Sequence, residues 1–228
     1  MIKTVLLDLD DTNLDFHKAE FEALKKTLTR FSVEPTEQVT SRYSEINRAQ
    51  WEALERGELT REQVKYRRFA LLFEELKIDV DAEEVRKYYE KMLGIGHFFL
   101  PYAERMLDEL KGKYRLFIVS NGTTAVQQGR IESAHLAPLF EAIFLSEEVG
   151  YVKPQKEFFD VCFAQIKDFD PSSAIIVGDS LTSDIQGGIN AGIRTCWFDL
   201  RGKGNHTDIH PDYTITSLEQ LAPLLERI

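Results

Sequence analysis

Three acids stand close together near the start of the chain, in Asp8-Leu9-Asp10-Asp11, directly after a short apolar run and before Thr12. Further polar groups follow later apolar runs: Ser120-Asn121-Gly122, Val152-Lys153-Pro154, and Gly178-Asp179-Ser180 with Asp184 shortly after. If Asp8, Asp10 and Asp179 converge, they repel. Two carboxylates ~4 Å apart cost roughly 4 kcal/mol at an effective dielectric near 20. A hard divalent cation such as Mg²⁺, which takes carboxylates, waters and a phosphate oxygen, would neutralise them. Lys153 offers a second, permanent positive charge. Ser120 and the amides after it can donate to phosphoryl oxygens, and Gly122 lets the backbone come close. A carboxylate nucleophile beside Mg²⁺ is the arrangement that forms an aspartyl phosphate. Asp10, two residues past Asp8 and on the same side by strand periodicity, is placed to protonate a leaving oxygen and then activate water.

The elements that must position these residues alternate in texture. Nearly continuous β-branched or apolar runs at Lys3–Leu7, Arg115–Val119, Ala142–Leu145, Ala174–Val177 and Arg194–Phe198 predict strands buried on both faces of a parallel sheet. Helical stretches at Thr124–His135, Lys156–Ile166 and Ser183–Ala191 lie between the later runs. The fold class is therefore α/β, a doubly wound, Rossmann-like parallel sheet. Its polar residues gather at the C-terminal strand ends, where such sheets bind ligands.

The interval from Asp15 to Leu100 is charged and helical in period, as in Phe21, Leu24, Leu28 and Phe31, then Phe69, Leu72, Phe73 and Leu76. Pro35, Gly57 and Ile78–Asp81 divide it into about four helices. The expected organisation is an α/β core of residues 1–14 and 101–228 with an all-α helical bundle, residues 15–100, inserted after the first strand.

With 28 Lys and Arg against 38 Asp and Glu, the formal charge of −10 excludes a nucleic-acid polymer as partner but not a small phosphorylated metabolite. The N-terminal apolar run is too short for a signal peptide, and no stretch approaches the ~20 apolar residues of a membrane span. The two cysteines, Cys162 and Cys196, lie in apolar contexts and read as buried free thiols. A cytoplasmic protein, monomer or homodimer, without membrane partners is the expectation.

The ordered set of four motifs resembles the haloacid dehalogenase superfamily over the whole chain. The resemblance implies Asp8 as nucleophile and metal ligand, and Asp10 as acid/base that also ligates metal through its backbone carbonyl. It implies that Thr12 supports Asp10, that Ser120 and Asn121 hold the phosphoryl group together with Gly122, and that Lys153 pairs with that group and with Asp8. Asp179 would ligate magnesium, with Asp184 in the surrounding shell, and the helical insertion would be a cap over the substrate. A closer similarity, to bacterial pyrimidine 5′-nucleotidases, rests on Asp10-Asp11-Thr12 with Leu14-Asp15-Phe16, on Ile46 to Trp51, on Gly57 to Arg61, and on Arg67-Arg68-Phe69. It implies a nucleoside 5′-monophosphate as substrate. Asn13 departs from that pattern, which has an apolar residue there.

Singly, each motif has a plainer explanation. Asp10-Asp11-Thr12 and Ser120-Asn121-Gly122 are ordinary turn or helix-start sequences, and Asp179 or Asp184 could cap a helix. Gly187-Gly188 reads as close helix–sheet packing rather than a nucleotide loop. Trp51, Phe69 and Phe73 read as packing residues, and Arg67 and Arg68 as surface charges. Two other functions use the same residue types. One is a sugar-phosphate phosphatase or mutase of the same superfamily, acting on phosphoglycolate or a hexose phosphate. The other is a receiver-like signalling protein, whose stable phospho-aspartate needs no large lid.

Overall fold

The computed structural model describes residues 1–202 and 204–228. The chain divides into two compact units, Met1–Phe16 with His97–Ile228, and His17–Gly96.

In the first unit the chain enters β1 (Thr4–Leu7) and returns after the second unit through α5 (Ala103–Leu110). It then alternates β2 (Arg115–Ser120), α6 (Thr124–Ser133), β3 (Ala142–Leu145), α7 (Ser146–Val149), α8 (Lys156–Gln165) and β4 (Ala174–Gly178). A π-helical turn at Leu181–Ile185 leads into α9 (Gln186–Ala191), β5 (Arg194–Phe198), β6 (Tyr213–Ile215) and α10 (Leu221–Arg227). The strands form one parallel sheet in the order β3-β2-β1-β4-β5-β6. Because β2 and β4 flank β1 and their connections run to opposite sides, a topological switch point lies beside β1, and a crevice opens there at the carboxyl ends of the strands.

Alternation along each strand divides the core. Val5, Leu7, Ile118, Ile175 and Val177 pack on one face with Met106 and Leu107 of α5 and with Leu224 and Leu225 of α10. Leu6, Phe117, Val119 and Ile176 pack on the other with Phe158, Phe159 and Cys162 of α8. All four residues of β1 are buried, as a central parallel strand requires. Close approach of α9 to the sheet explains Gly187-Gly188: a Cβ at Gly188 would lie 2.5 Å from Ile176 Cγ2 and 2.7 Å from Thr195 Cγ2. Cys162 and Cys196 are buried free thiols, and burial pushes both up to about 12. Three differences from the sequence expectation stand out. The sixth strand, β6, escaped notice because three residues at a sheet edge carry too little pattern. Helix α5 lies outside the helical stretches the sequence pattern predicts, and the helix predicted from Ser183 begins instead with the π-turn.

The second unit contains α1, which runs Phe16–Arg30 and so starts at the boundary, with α2 (Glu37–Glu55), α3 (Arg61–Leu76) and α4 (Ala82–Leu93). Thr36, Thr60 and Asp81 cap α2, α3 and α4, and Thr60 with Gln63 forms a reciprocal capping box. Tyr43, Phe69 and Tyr89 meet at its centre with ring centroids 4.9–5.6 Å apart, and Phe73 is buried beside them. Arg67 is exposed, but Arg68 is not the surface charge expected. It is 2% exposed, donating to Asn47 Oδ1 at 3.2 Å and Glu90 Oε1 at 3.4 Å, and lying 4.9 Å over the Tyr89 ring. Buried Glu20 accepts from Ser44 and Asn47 in the same interior, and desolvation raises its pKa above the ordinary value. Among the described residues of the chain, no helix is long and apolar enough to cross a membrane.

Candidate active site

The Asp8 amide donates to the Val177 carbonyl at 3.0 Å, so this residue continues β1 beside β4 by one step and carries its carboxyl to the switch point. Lys153 is 1% exposed, and its ammonium donates to Asp8 Oδ1 at 2.7 Å, Asp184 Oδ1 at 2.6 Å and the Val119 carbonyl at 2.8 Å. Those three bonds use all of its N–H groups. Asp179 follows β4, its carbonyl held by Trp197 Nε1 at 2.8 Å. Carboxylate oxygens of Asp8, Asp179 and Asp184 all lie within 4.8 Å of one another.

Burial raises the Asp8 carboxyl to about 8; Lys153 pulls it down, while Asp184 and Asp10 add to the rise. Burial, then Asp11, Asp8 and Asp184, push Asp179 well above the ordinary carboxylate range. Burial works against the charge on Lys153, but Asp184 and Asp8 more than offset it and hold the ammonium protonated above its usual range. When ionised, three carboxylates against one ammonium leave two negative charges, all on oxygen ligands. The donor set therefore fits a hard divalent cation.

Asp10 lies in the turn after the strand, where Asn13 and Leu14 amides donate back to the Leu9 carbonyl and the Asp11 amide donates to that of Leu14. Its carboxylate is not part of the three-acid cluster. Oδ1 accepts from Arg130 Nη1, and Oδ2 accepts from Gln127 Nε2 at 2.6 Å. Thr12 is fully buried, and its hydroxyl makes no hydrogen bond among the described residues. Asn13, where the sequence departs from the nucleotidase pattern, donates through Nδ2 to the Asp8 carbonyl at 2.6 Å, so its amide braces the turn.

Ser120 ends β2 with its hydroxyl accepting from the Gly122 amide at 3.1 Å and from Gln127 Nε2 at 2.8 Å. The Asn121 side chain, in a residue expected to hold a phosphoryl group, clasps the Lys153 backbone. Its Oδ1 accepts from the Lys153 amide at 2.9 Å and its Nδ2 donates to the Lys153 carbonyl at 2.8 Å. A Cβ at Gly122 would lie 2.2 Å from Gln127 Nε2, so the glycine also leaves room for that side chain. Asp184, expected in a surrounding shell, brings a carboxylate oxygen within 4.8 Å of those of Asp8 and Asp179. A Cβ on Gly178 would lie 2.2 Å from Asp184 Oδ2, so a glycine at the end of β4 makes that seat possible. Sequence reasoning missed Gln127 and Arg130. Their signal was a polar pair three residues apart, on the helix that follows Ser120-Asn121-Gly122, between the buried apolar residues Val126 and Ile131.

The family profile of haloacid dehalogenase-like hydrolases matches residues 2–192. The chain belongs to that family. This haloacid dehalogenase-like hydrolase is 37% identical to the HAD-hydrolase YfnB of Bacillus subtilis, over 98% of this chain and 95% of that one. The crystal structure of YfnB, bound to magnesium, superposes with a TM-score of 0.94 and covers 98% of each chain. Two pyrimidine 5′-nucleotidases are similar over nearly their full lengths. PynA of Streptococcus pneumoniae is 34% identical over 99% of this chain and 95% of its own, and YjjG of Escherichia coli is 32% identical over 97% and 96%. The hydrolase is thus a phosphatase-type member of its family, a phosphoric monoester hydrolase resembling 5′-nucleotidases.

Proposed function

We propose that the protein hydrolyses a pyrimidine nucleoside 5′-monophosphate in two steps, with Asp8 as nucleophile. The observation that carries the mechanism is the buried ion cluster in which Lys153 bridges Asp8 and Asp184, beside Asp179. In the first step an Asp8 oxygen attacks phosphorus, the P–O bond to the nucleoside breaks, and Asp10 gives its proton to the departing oxygen. In the second step a water oxygen attacks the phosphorus of the acyl phosphate and passes a proton to Asp10. The Asp8–phosphorus bond breaks and inorganic phosphate leaves. Lys153 balances phosphoryl charge in both steps, and Ser120 with the amides after it donates to phosphoryl oxygens. Asn121 fixes the Lys153 segment. Asp8, Asp179 and Asp184, with the Asp10 backbone carbonyl that the family resemblance adds, would hold Mg²⁺, which supplies charge neutralisation for the carboxylates and the phosphoryl group.

The choice of substrate rests on PynA and YjjG, two relatives named as pyrimidine 5′-nucleotidases. A phosphate-release screen with Mg²⁺ over nucleoside monophosphates, hexose phosphates and phosphoglycolate tests it: the preferred substrate should be a pyrimidine monophosphate. Indifference to the base would remove the nucleotide assignment while leaving the mechanism. Asp8→Asn should lower turnover by at least ~10³-fold with little change in melting temperature. Wild-type hydrolysis by that variant would refute the nucleophile assignment.

A further inference from the structure

Helix α6 carries two buried polar residues that the two-step mechanism does not use. Gln127 is 1% exposed and Arg130 is fully buried. They are three residues apart and therefore share one helix face. Gln127 Nε2 donates both to Asp10 Oδ2 at 2.6 Å and to Ser120 Oγ at 2.8 Å, while its Oε1 accepts from Arg130 Nη1 at 3.2 Å. Arg130 Nη1 also donates to Asp10 Oδ1, and the guanidinium lies 5.7 Å from the Phe16 ring centroid. The surroundings determine which way the Gln127 amide points, because its NH₂ faces a carboxylate and its oxygen faces a guanidinium. A flipped amide would set oxygen against Asp10 and NH₂ against Arg130.

This arrangement constrains Ser120. A serine hydroxyl has two lone pairs and one proton. The Gly122 amide and Gln127 Nε2 occupy both lone pairs, so what remains to Ser120 is donation. We propose that Gln127 and Arg130 are positioning residues that lock the Asp10 carboxylate in place and commit the Ser120 hydroxyl to donate to a phosphoryl oxygen. Through Gln127, one helix thereby sets the acid/base group and the phosphate-binding group in a single register. Gly122 belongs to the same device, because only a residue without a side chain leaves room for Gln127. The inference rests on the phosphoryl-transfer reading of Asp8, Asp10 and Ser120.

Gln127→Glu tests it with almost no change of shape. The new carboxylate accepts where the amide donated, so it draws the Ser120 proton to itself and repels Asp10. Inorganic phosphate, assayed as a competitive inhibitor, should bind at least ~10-fold more weakly, and kcat for an alkyl monophosphate should fall about 10²-fold. The loss should depend on the leaving group. 2,4-Dinitrophenolate departs without a proton, so the pre-steady-state burst of dinitrophenolate should lose only the share due to Ser120, about 10-fold, where the alkyl substrate slows about 10²-fold. Arg130→Met should show the same dependence, and Arg130→Lys should recover part of the alkyl-phosphate rate. Unchanged phosphate inhibition and unchanged kcat in Gln127→Glu would overturn the proposal, as would equal losses for both leaving groups or a Gln127→Glu protein that fails to fold. Asp8→Asn, assayed in parallel, keeps the two failures apart. If it is inactive while Gln127→Glu behaves as wild type, the mechanism stands and the positioning role falls; if it is active, the mechanism itself falls.

Discussion

Gly178→Ala adds one methyl group at the end of β4 and should act on the cation site rather than on the strand. Gly178 pairs with Trp197 of β5 inside the sheet, so the backbone has little freedom to retreat. The added Cβ would stand 2.2 Å from Asp184 Oδ2, 2.3 Å from its Cγ and 2.6 Å from its Cβ, so the aspartate must leave its seat. Two contacts go with it, the Lys153 bond at 2.6 Å and the Ser180 amide bond at 3.1 Å. Hydrogen bonds to charged groups contribute roughly 1.5–3 kcal/mol each, and overpacking costs a further 1–3 kcal/mol before relaxation. These sum to about 4–9 kcal/mol before relaxation; movement of Asp184 into water recovers part of it, and a net loss of about 3 kcal/mol lowers the melting temperature of a chain this size by about 6–12 °C. For a divalent cation, losing one unit charge ~4 Å away at an effective dielectric near 20 costs at most ~8 kcal/mol, and compensation by water and by the ammonium of Lys153 that Asp184 no longer neutralises leaves a 10²–10³-fold weakening. The assay is the Mg²⁺ concentration giving half-maximal phosphate release, measured beside melting temperature with and without the ion. Asp184→Asn should reproduce the weaker Mg²⁺ dependence without the overpacking. If Gly178→Ala kept wild-type Mg²⁺ dependence within about threefold and its melting point within ~2 °C, the inferred seat of Asp184 would be wrong.

Two further perturbations probe other parts of the molecule. Arg68→Met removes a buried cation from the interior of the second unit; because Arg86 still pairs with Glu90 at 2.9 Å, the cost should be about 3 kcal/mol, at the low end for breaking a buried pair, and calorimetry should show a melting point about 6–12 °C lower. A melting point within ~2 °C of wild type would show that Arg68 contributes no net stability. Magnesium stabilisation should also depend on pH. The Asp8 pKa is raised from 3.8 to about 8, so the folded chain keeps a proton that the unfolded chain has already released. That contribution to the metal-free protein is whole below pH 3.8 and is lost as pH rises toward 8; Glu20 and Asp179 shift in the same direction. Cation binding replaces those protons, so the Mg²⁺-induced rise in melting temperature should be larger at pH 8 than at pH 5. An increment independent of pH would contradict the carboxylate cluster as the binding site.

The sheet and the approximate place of its chemistry can be read from local residue pattern. A strand buried on both faces must be apolar along its length, and a parallel sheet puts the residue after each strand at one edge. Asp8, Ser120 and Asp179 could therefore be assigned to a common edge from local pattern alone, and Lys153 from its place after the third strand. Which atoms meet there depends on packing between distant parts of the chain. Asp10 is held by Gln127 and Arg130, 117 and 120 residues further along the chain; Asn121 clasps the Lys153 backbone; and Asp184 joins Asp8 and Asp179. Side-chain partners of that kind depend on how a helix is rotated against the sheet and on where a missing Cβ leaves room, as at Gly122 and Gly178. Arg68 and β6 make the same point. A charged residue on a helix and three residues at a sheet edge carry no periodic signal strong enough to reveal that one is buried and the other paired. Periodicity reports which face of an element is covered, and only packing reports what covers it.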